Sequence, residues 1–294
     1  MLLKIPNSML SDPWCRAFGR CSQWVGLTLD QSDQFKIGIS EESITDFLLL
    51  RLKGQLKDEI VTQKFSRGDE SITGADWEWW FVDNSKGFGF RVQAKRLRAG
   101  QGTASPRYEE LKKAQADQLI QEARNASPPR YPIYCFYNPA GVMHAHYQYN
   151  YPYWRLCWWS PLIFPRRLDQ LLGCTVADAQ FVQKALAGRK KDKKDLNSIL
   201  PASFPLCCLV CNRLVPRSGP VSGIAKIAAA AAQGLAHVAQ QAARLWGLDL
   251  PPGPAPEPVS KDNLPWPVRR LISGEPSDEA IEGLQGVVVF NGQE

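Results

Sequence analysis

Thr73-Gly-Ala-Asp-Trp-Glu-Trp-Trp-Phe-Val-Asp83, Asn84-Ser-Lys-Gly87, then Phe88-Gly-Phe-Arg-Val-Gln-Ala-Lys-Arg-Leu97 is the stretch whose reading decides the fold. Trp, Phe and Val suit a pleated surface, and Asn-Ser-Lys-Gly is turn chemistry, so the pattern predicts a β-hairpin. Side chains two apart on a strand share a face. Asp76, Glu78 and Trp80 therefore share one face of the first arm, and Trp77, Trp79 and Phe81 the other. On the second arm Gln93 and Lys95 point together, while Val92, Ala94 and Leu97 can face elsewhere.

The hairpin thus pairs a carboxylate with an amide oxygen and an ammonium on the neighbouring strand. That set suits metal-assisted phosphodiester hydrolysis. A hard cation such as Mg²⁺ accepts one carboxylate, a neutral oxygen and a backbone carbonyl, and keeps several waters. The metal polarises the phosphate and acidifies a bound water, while a nearby lysine positions that water or offsets developing charge.

Working outward, residues 1–39 form a leader in which Trp14, Phe18, Cys21 and Val25 recur at helical spacing. The next helix runs over 40–56, capped by Ser40, with Glu41 and Glu42 in its first turn and Ile44, Phe47, Leu48 and Leu52 as its buried stripe. Ile60–Phe65 alternates and reads as a strand before the hairpin. After the hairpin a helix is expected from Pro106 to Ala126, capped by Ser105, then a buried strand over Tyr131–Tyr137.

Residues 139–250 read as an aromatic and helical elaboration. His144 and His146 would share a strand face there, and the aromatic block extends to Trp159. Thr175 would cap a helix running to Ala187, and Arg189–Lys194 is a charge run. An alanine-rich helix spans Val221–Leu248. Residues 251–294 read as a proline-rich connector and a docked tail, with a terminal strand at Gly286–Phe290.

The chain has 294 residues, is 44% hydrophobic and 22% charged, and carries a net charge of +6. This is the composition of a globular protein with a mild bias toward polyanions. No apolar run approaches the roughly 18 residues of a membrane span. Met1–Pro6 is too short for a signal peptide, and the eight cysteines do not make a disulfide scaffold. A cytoplasmic protein with reduced thiols is expected.

Asp76 with Gln93-Ala94-Lys95 resembles the PD-(D/E)XK nuclease signature in its Q-x-K form, as in the Mrr-like branch of restriction endonucleases, where glutamine replaces the second acid. The wider sequence also resembles an uncharacterised bacterial family of about this length. The nuclease resemblance covers residues 40–138. It implies an α/β fold with a restriction-endonuclease-like central mixed sheet flanked by helices, here with a helical C-terminal extension. It implies a metal-dependent endonuclease, acting on DNA in restriction or anti-phage defence, with Mg²⁺ or Mn²⁺ held by Asp76, the Gln93 side-chain oxygen and the Ala94 carbonyl.

Lys95 would activate water. Such nucleases often carry an acid on the first core helix, which points to Glu42, with Glu41 and Glu78 as the other candidates. Arg96, Arg98, Lys112 and Lys113 would contact nucleic acid, and a homodimer or a defence-system partner protein is compatible. Two further readings stand beside this one. The chain is a nucleic-acid-binding module that keeps a nuclease-like core without turnover, or it is a structural partner subunit. Lys95 discriminates among them, since a binding module can do without it.

Overall fold

The computed structural model describes residues 12–65, 74–99, 105–150, 168–188, 193–211, 223–251, 253, 257–275 and 284–292, the side chains of 146–150 and 168–170 excepted. The aromatic residues 151–159 and residues 189–192 of the charge run lie outside them.

Helix α1 (Pro13–Gln34) starts at Asp12, whose carboxylate accepts the amide hydrogens of Trp14 and Cys15, and it buries Phe18, Cys21, Val25 and Leu29. Helix α2 (Glu41–Leu56) starts at Ser40, as its capping chemistry predicts, with the hydroxyl accepting from the Ser43 amide. Then follow β1 (Ile60–Lys64), β2 (Trp77–Val82), β3 (Lys86–Arg96), α3 (Lys113–Asn125), β4 (Tyr131–Tyr137) and α4 (Ala140–Asn150). The chain continues through β5 (Cys174–Asp178), α5 (Ala179–Ala187), α6 (Leu196–Ile199), β6 (Ser203–Pro205), α7 (Ile224–Leu245), β7 (Val259–Ser260), α8 (Trp266–Ile272) and β8 (Gly286–Asn291).

The described strands form one mixed eight-stranded sheet in the order β1-β8-β2-β3-β4-β5-β6, with β7 attached to β3. The expected hairpin is β2 and β3, antiparallel, with Trp77 opposite Val92 and Val82 opposite Gly87. The Asp83 carboxylate closes its turn by accepting from the Ser85 and Lys86 amides. Strand β4 runs parallel to β3 and sets Tyr134 opposite Gln93.

Helices cover both faces, giving the α/β layering that alternating elements require. On one face Trp77, Trp79, Phe81 and Phe90 pack with residues of α1, α2 and α7. On the other, Trp80, Tyr134 and Phe136 pack with residues of α3, α5 and α8. Among the described residues no helix is long and apolar enough to cross a membrane. The described cysteines are free thiols.

Several expectations are corrected. The helix expected from Pro106 begins only at Lys113, because Arg107 exchanges backbone hydrogen bonds with Arg98 at 2.9 and 3.0 Å and holds that segment extended. Cys174–Asp178 is a strand against β4 rather than the start of a helix, and the cap of α5 is Asp178, not Thr175. His144 and His146 lie on a helix, so they share no strand face. Leu97 packs on the face that Trp80 and Tyr134 occupy.

The segment expected as a docked tail supplies an interior strand. Strand β8 lies between β1 and β2, antiparallel to the first and parallel to the second. Gly286 makes this possible: a Cβ there would come within 2.4 Å of the Trp77 ring and 2.6 Å of the Gln63 carbonyl oxygen.

Candidate active site

Asp76 immediately precedes β2, and its backbone is pinned from both sides. Its amide donates to the Val92 carbonyl at 2.9 Å, and its carbonyl accepts from the Gln285 amide at 2.8 Å. The Asp76 Oδ2 then accepts from the Ala94 amide at 2.8 Å and from the Gln93 side-chain Nε2 at 2.7 Å. Gly74 holds this lead-in against α3. It has φ +64°, in the left-handed region that favours glycine, and a Cβ there would lie 2.8 Å from the Gln115 carbonyl oxygen and 2.9 Å from the Leu119 nitrogen.

Lys95 points to the same face, with only 7% of its side chain exposed, and its Nζ lies 3.4 Å from Glu41 Oε2. Glu41 Oε1 accepts from the Arg96 amide at 2.6 Å. The acid that α2 brings to the cluster is therefore Glu41, where the sequence reading favoured Glu42. The buried residues Ile44, Thr45, Leu48, Leu49 and Leu52 centre on the helix line through Glu41. Phe47, counted into the stripe from sequence, is 51% exposed.

Desolvation dominates the electrostatics. Burial pushes the Asp76 carboxyl up to about 6, and the Glu41 charge adds to the rise, while the Ala94 amide, Lys95 and the Gln93 amide oppose it. Glu41 is likewise raised, first by burial and further by Glu110, against the pull of Lys95 and the Arg96 amide. Two carboxylates thus sit partly out of water beside one lysine, which raises their affinity for a proton.

The remaining expected residues fall elsewhere. Glu78 is fully buried and its Oε1 takes Arg91 at 3.0 Å and Arg130 at 3.1 Å, while its Oε2 accepts from Trp80 Nε1 at 3.0 Å. Arg96 is buried and committed to Asp33 and to the Ile39 carbonyl. Lys113 pairs with Asp117 at 2.6 Å, one helical turn on, and Lys112 is exposed at the start of α3. Arg98 is exposed and lines a cleft of about 790 Å³ with Lys36 and Arg107, beside Asp33 and Glu109. Lys36 takes φ +56°, a conformation uncommon for lysine, just past the end of α1.

Two residues escaped the sequence reading. Gln115 donates from Nε2 to Gln93 Oε1 at 2.9 Å. Tyr134, opposite Gln93, is buried, and its hydroxyl has no hydrogen-bond partner among the described residues. It feels the Asp76 charge, and burial, then Asp76 and Asp117, raise its own proton affinity. The cross-strand register was the one signal for Tyr134; nothing in the sequence marks Gln115 apart from other polar helix residues.

A divalent cation fits this donor set. Among the described residues no three His, Cys, Asp or Glu side chains group as a metal cage. Mg²⁺ is ordinarily held by one or two carboxylates, with water and substrate oxygens completing its shell. Asp76, Glu41 and the Ala94 carbonyl supply hard oxygens.

A model of the family described as a family of unknown function, DUF6615, matches residues 14–294. The chain belongs to that family. Comparison with curated proteins gives no match. The family match runs through the hairpin to β8.

Proposed function

We propose that this DUF6615 protein is a metal-dependent nuclease that hydrolyses phosphodiester bonds in DNA. The observation that carries the reading is the meeting of Asp76, Gln93 and Lys95 on neighbouring strands, with Glu41 from α2 closing the acidic set. The element order α2-β1-β2-β3-α3-β4, with β4 parallel to β3, agrees with the restriction-endonuclease-like core that the Q-x-K resemblance implies.

Asp76, Glu41 and the Ala94 carbonyl would hold Mg²⁺ or Mn²⁺. When bound, such an ion polarises the scissile phosphate and lowers the pKa of the attacking water. Lys95, held out of bulk water by its setting and oriented by Glu41, places an ammonium beside that water and the developing negative charge. Lys36, Arg98 and Arg107 line the cleft at the end of β3 and bind the phosphate backbone without reading sequence.

The test is a cleavage assay on plasmid and phage DNA with Mg²⁺, Mn²⁺ or chelator, beside a folded Lys95→Ala protein. Metal-dependent nicking that falls by roughly a hundredfold or more in the variant is the expected result. DNA binding without cleavage under either metal, unchanged by the substitution, would leave a binding module in place of the enzyme.

A further inference from the structure

Gln93 is bonded the opposite way from a metal ligand. Its Nε2 donates to Asp76 Oδ2 at 2.7 Å and to the Ala94 carbonyl at 3.2 Å, while its Oε1 accepts from Gln115 at 2.9 Å. Chemistry fixes this orientation, because an amide oxygen turned toward the Asp76 carboxylate would meet an acceptor with an acceptor. Once the nitrogen faces Asp76, the oxygen needs a donor, and Gln115 on the first turn of α3 provides it. Gly74 fixes the distance, since its contact with the Gln115 and Leu119 backbone clamps α3 against the Asp76 lead-in.

We infer that Gln115 is a positioning residue that can hold the Gln93 amide in either of two orientations, so that the site can pass between a closed form and one that takes a divalent cation. This rests on the metal-dependent reading above. The terminal torsion of glutamine is broad and two-fold, so the amide can turn over in place. Turned over, Gln93 presents Oε1 beside Asp76, as a cation ligand must, and its Nε2 toward Gln115. The Gln115 amide turns in step and accepts through its own oxygen, so the bond between them survives reversed. Only a group that both donates and accepts can serve both arrangements, which gives a reason for an amide at position 115. The neutral Gln93 adds no charge to the buried acids, and the two orientations make it a gate between self-satisfied and cation-bound forms.

The experiment uses the full chain, labelled with ¹⁵N-glutamine, with Mg²⁺ alone as the probe. On Mg²⁺ addition the Gln93 side-chain amide hydrogens exchange their Ala94 contacts for contacts with Gln115. Gln115→Glu can only accept, which favours the turned-over Gln93. It binds Mg²⁺ roughly three- to tenfold tighter than wild type by calorimetry. The difference persists at high salt, where the through-space effect of the added charge is screened. Gln115→Leu removes the bond from both arrangements, so its affinity stays within about twofold of wild type while its thermal stability falls. If Gln115→Glu matches wild type at high salt and the Gln93 amide signals do not move, the inference is wrong although the metal site stands. If none of the three folded proteins binds Mg²⁺ or Mn²⁺, the metal-dependent reading falls and takes the inference with it.

Discussion

Asp76 and Glu78 stand two residues apart on the same arm of the same hairpin, and their surroundings treat them in opposite ways. Glu78 is fully satisfied: two guanidinium groups and an indole N–H saturate its oxygens, and Arg130 also stacks its charge over Trp80, 5.0 Å from the ring centroid. Asp76 has only amide donors on one oxygen, a lysine close enough to be felt and a second carboxylate that repels it. The first arrangement spends the carboxylate on tying β2 to β3 and to the arginine that precedes β4. The second leaves capacity over, and that is where the proposed cation would bind.

Breaking the closed cluster should have the largest effect. Glu78→Ala leaves Arg130 buried without its counter-charge and Arg91 with only the more distant Glu122, 3.9 Å away, a loss of about 3–5 kcal/mol. Urea denaturation would read it, and a loss below about 1 kcal/mol would mean that the network is slack. Gly74→Val should come next, at about 1–3 kcal/mol, because it forces a branched side chain into a left-handed backbone pressed on α3. Unlike Glu78→Ala, it should also weaken Mg²⁺ binding, since it displaces the lead-in that holds Asp76 in place. Equal Mg²⁺ affinity in the two variants would erase the distinction between the clusters.

The smallest effect is a pH dependence. The Asp76 carboxyl is raised from its ordinary 3.8 to about 6 in the folded chain. Across that window the folded state holds more protons than the unfolded state, so this group's contribution to stability is lost as pH rises through about 6. Asp76→Asn has no such loss. Its stability relative to wild type should therefore increase between pH 4 and pH 7, measured by thermal melts across the range. A difference that stays flat would mean that Asp76 titrates as an ordinary surface acid.

Much of this was legible in the chain itself. Alternation and turn chemistry gave the hairpin and placed Asp76, Gln93 and Lys95 near one another, and the Ser40 cap fixed the start of α2. The choice between Glu41 and Glu42 was not legible, because it depends on how far α2 is rolled against the sheet. Phe47 is the misleading sign: a large apolar residue at that spacing predicts burial, yet its ring leans out against Trp24. Gln115 was hidden because its role comes from the approach of two backbones at Gly74, which no spacing rule encodes. The interior place of β8 had a readable sign. Val287-Val-Val-Phe290 does not alternate, and a strand apolar on both sides belongs inside a sheet rather than at its edge.

The late arrival of that strand has a consequence for how the protein is made. During synthesis residues 60–137 emerge long before residues 286–291, so β1 and β2 wait with open edges while some 150 further residues are added. The waiting edge of β2 is Trp77-Glu-Trp-Trp-Phe-Val82, a run rich in rings and unpaired backbone groups, the kind of surface that draws other chains. Until β8 slides in, the hairpin that Asp76 precedes has no neighbour on its β2 side. A polypeptide interrupted before Gly286 would keep that edge open and be prone to aggregate.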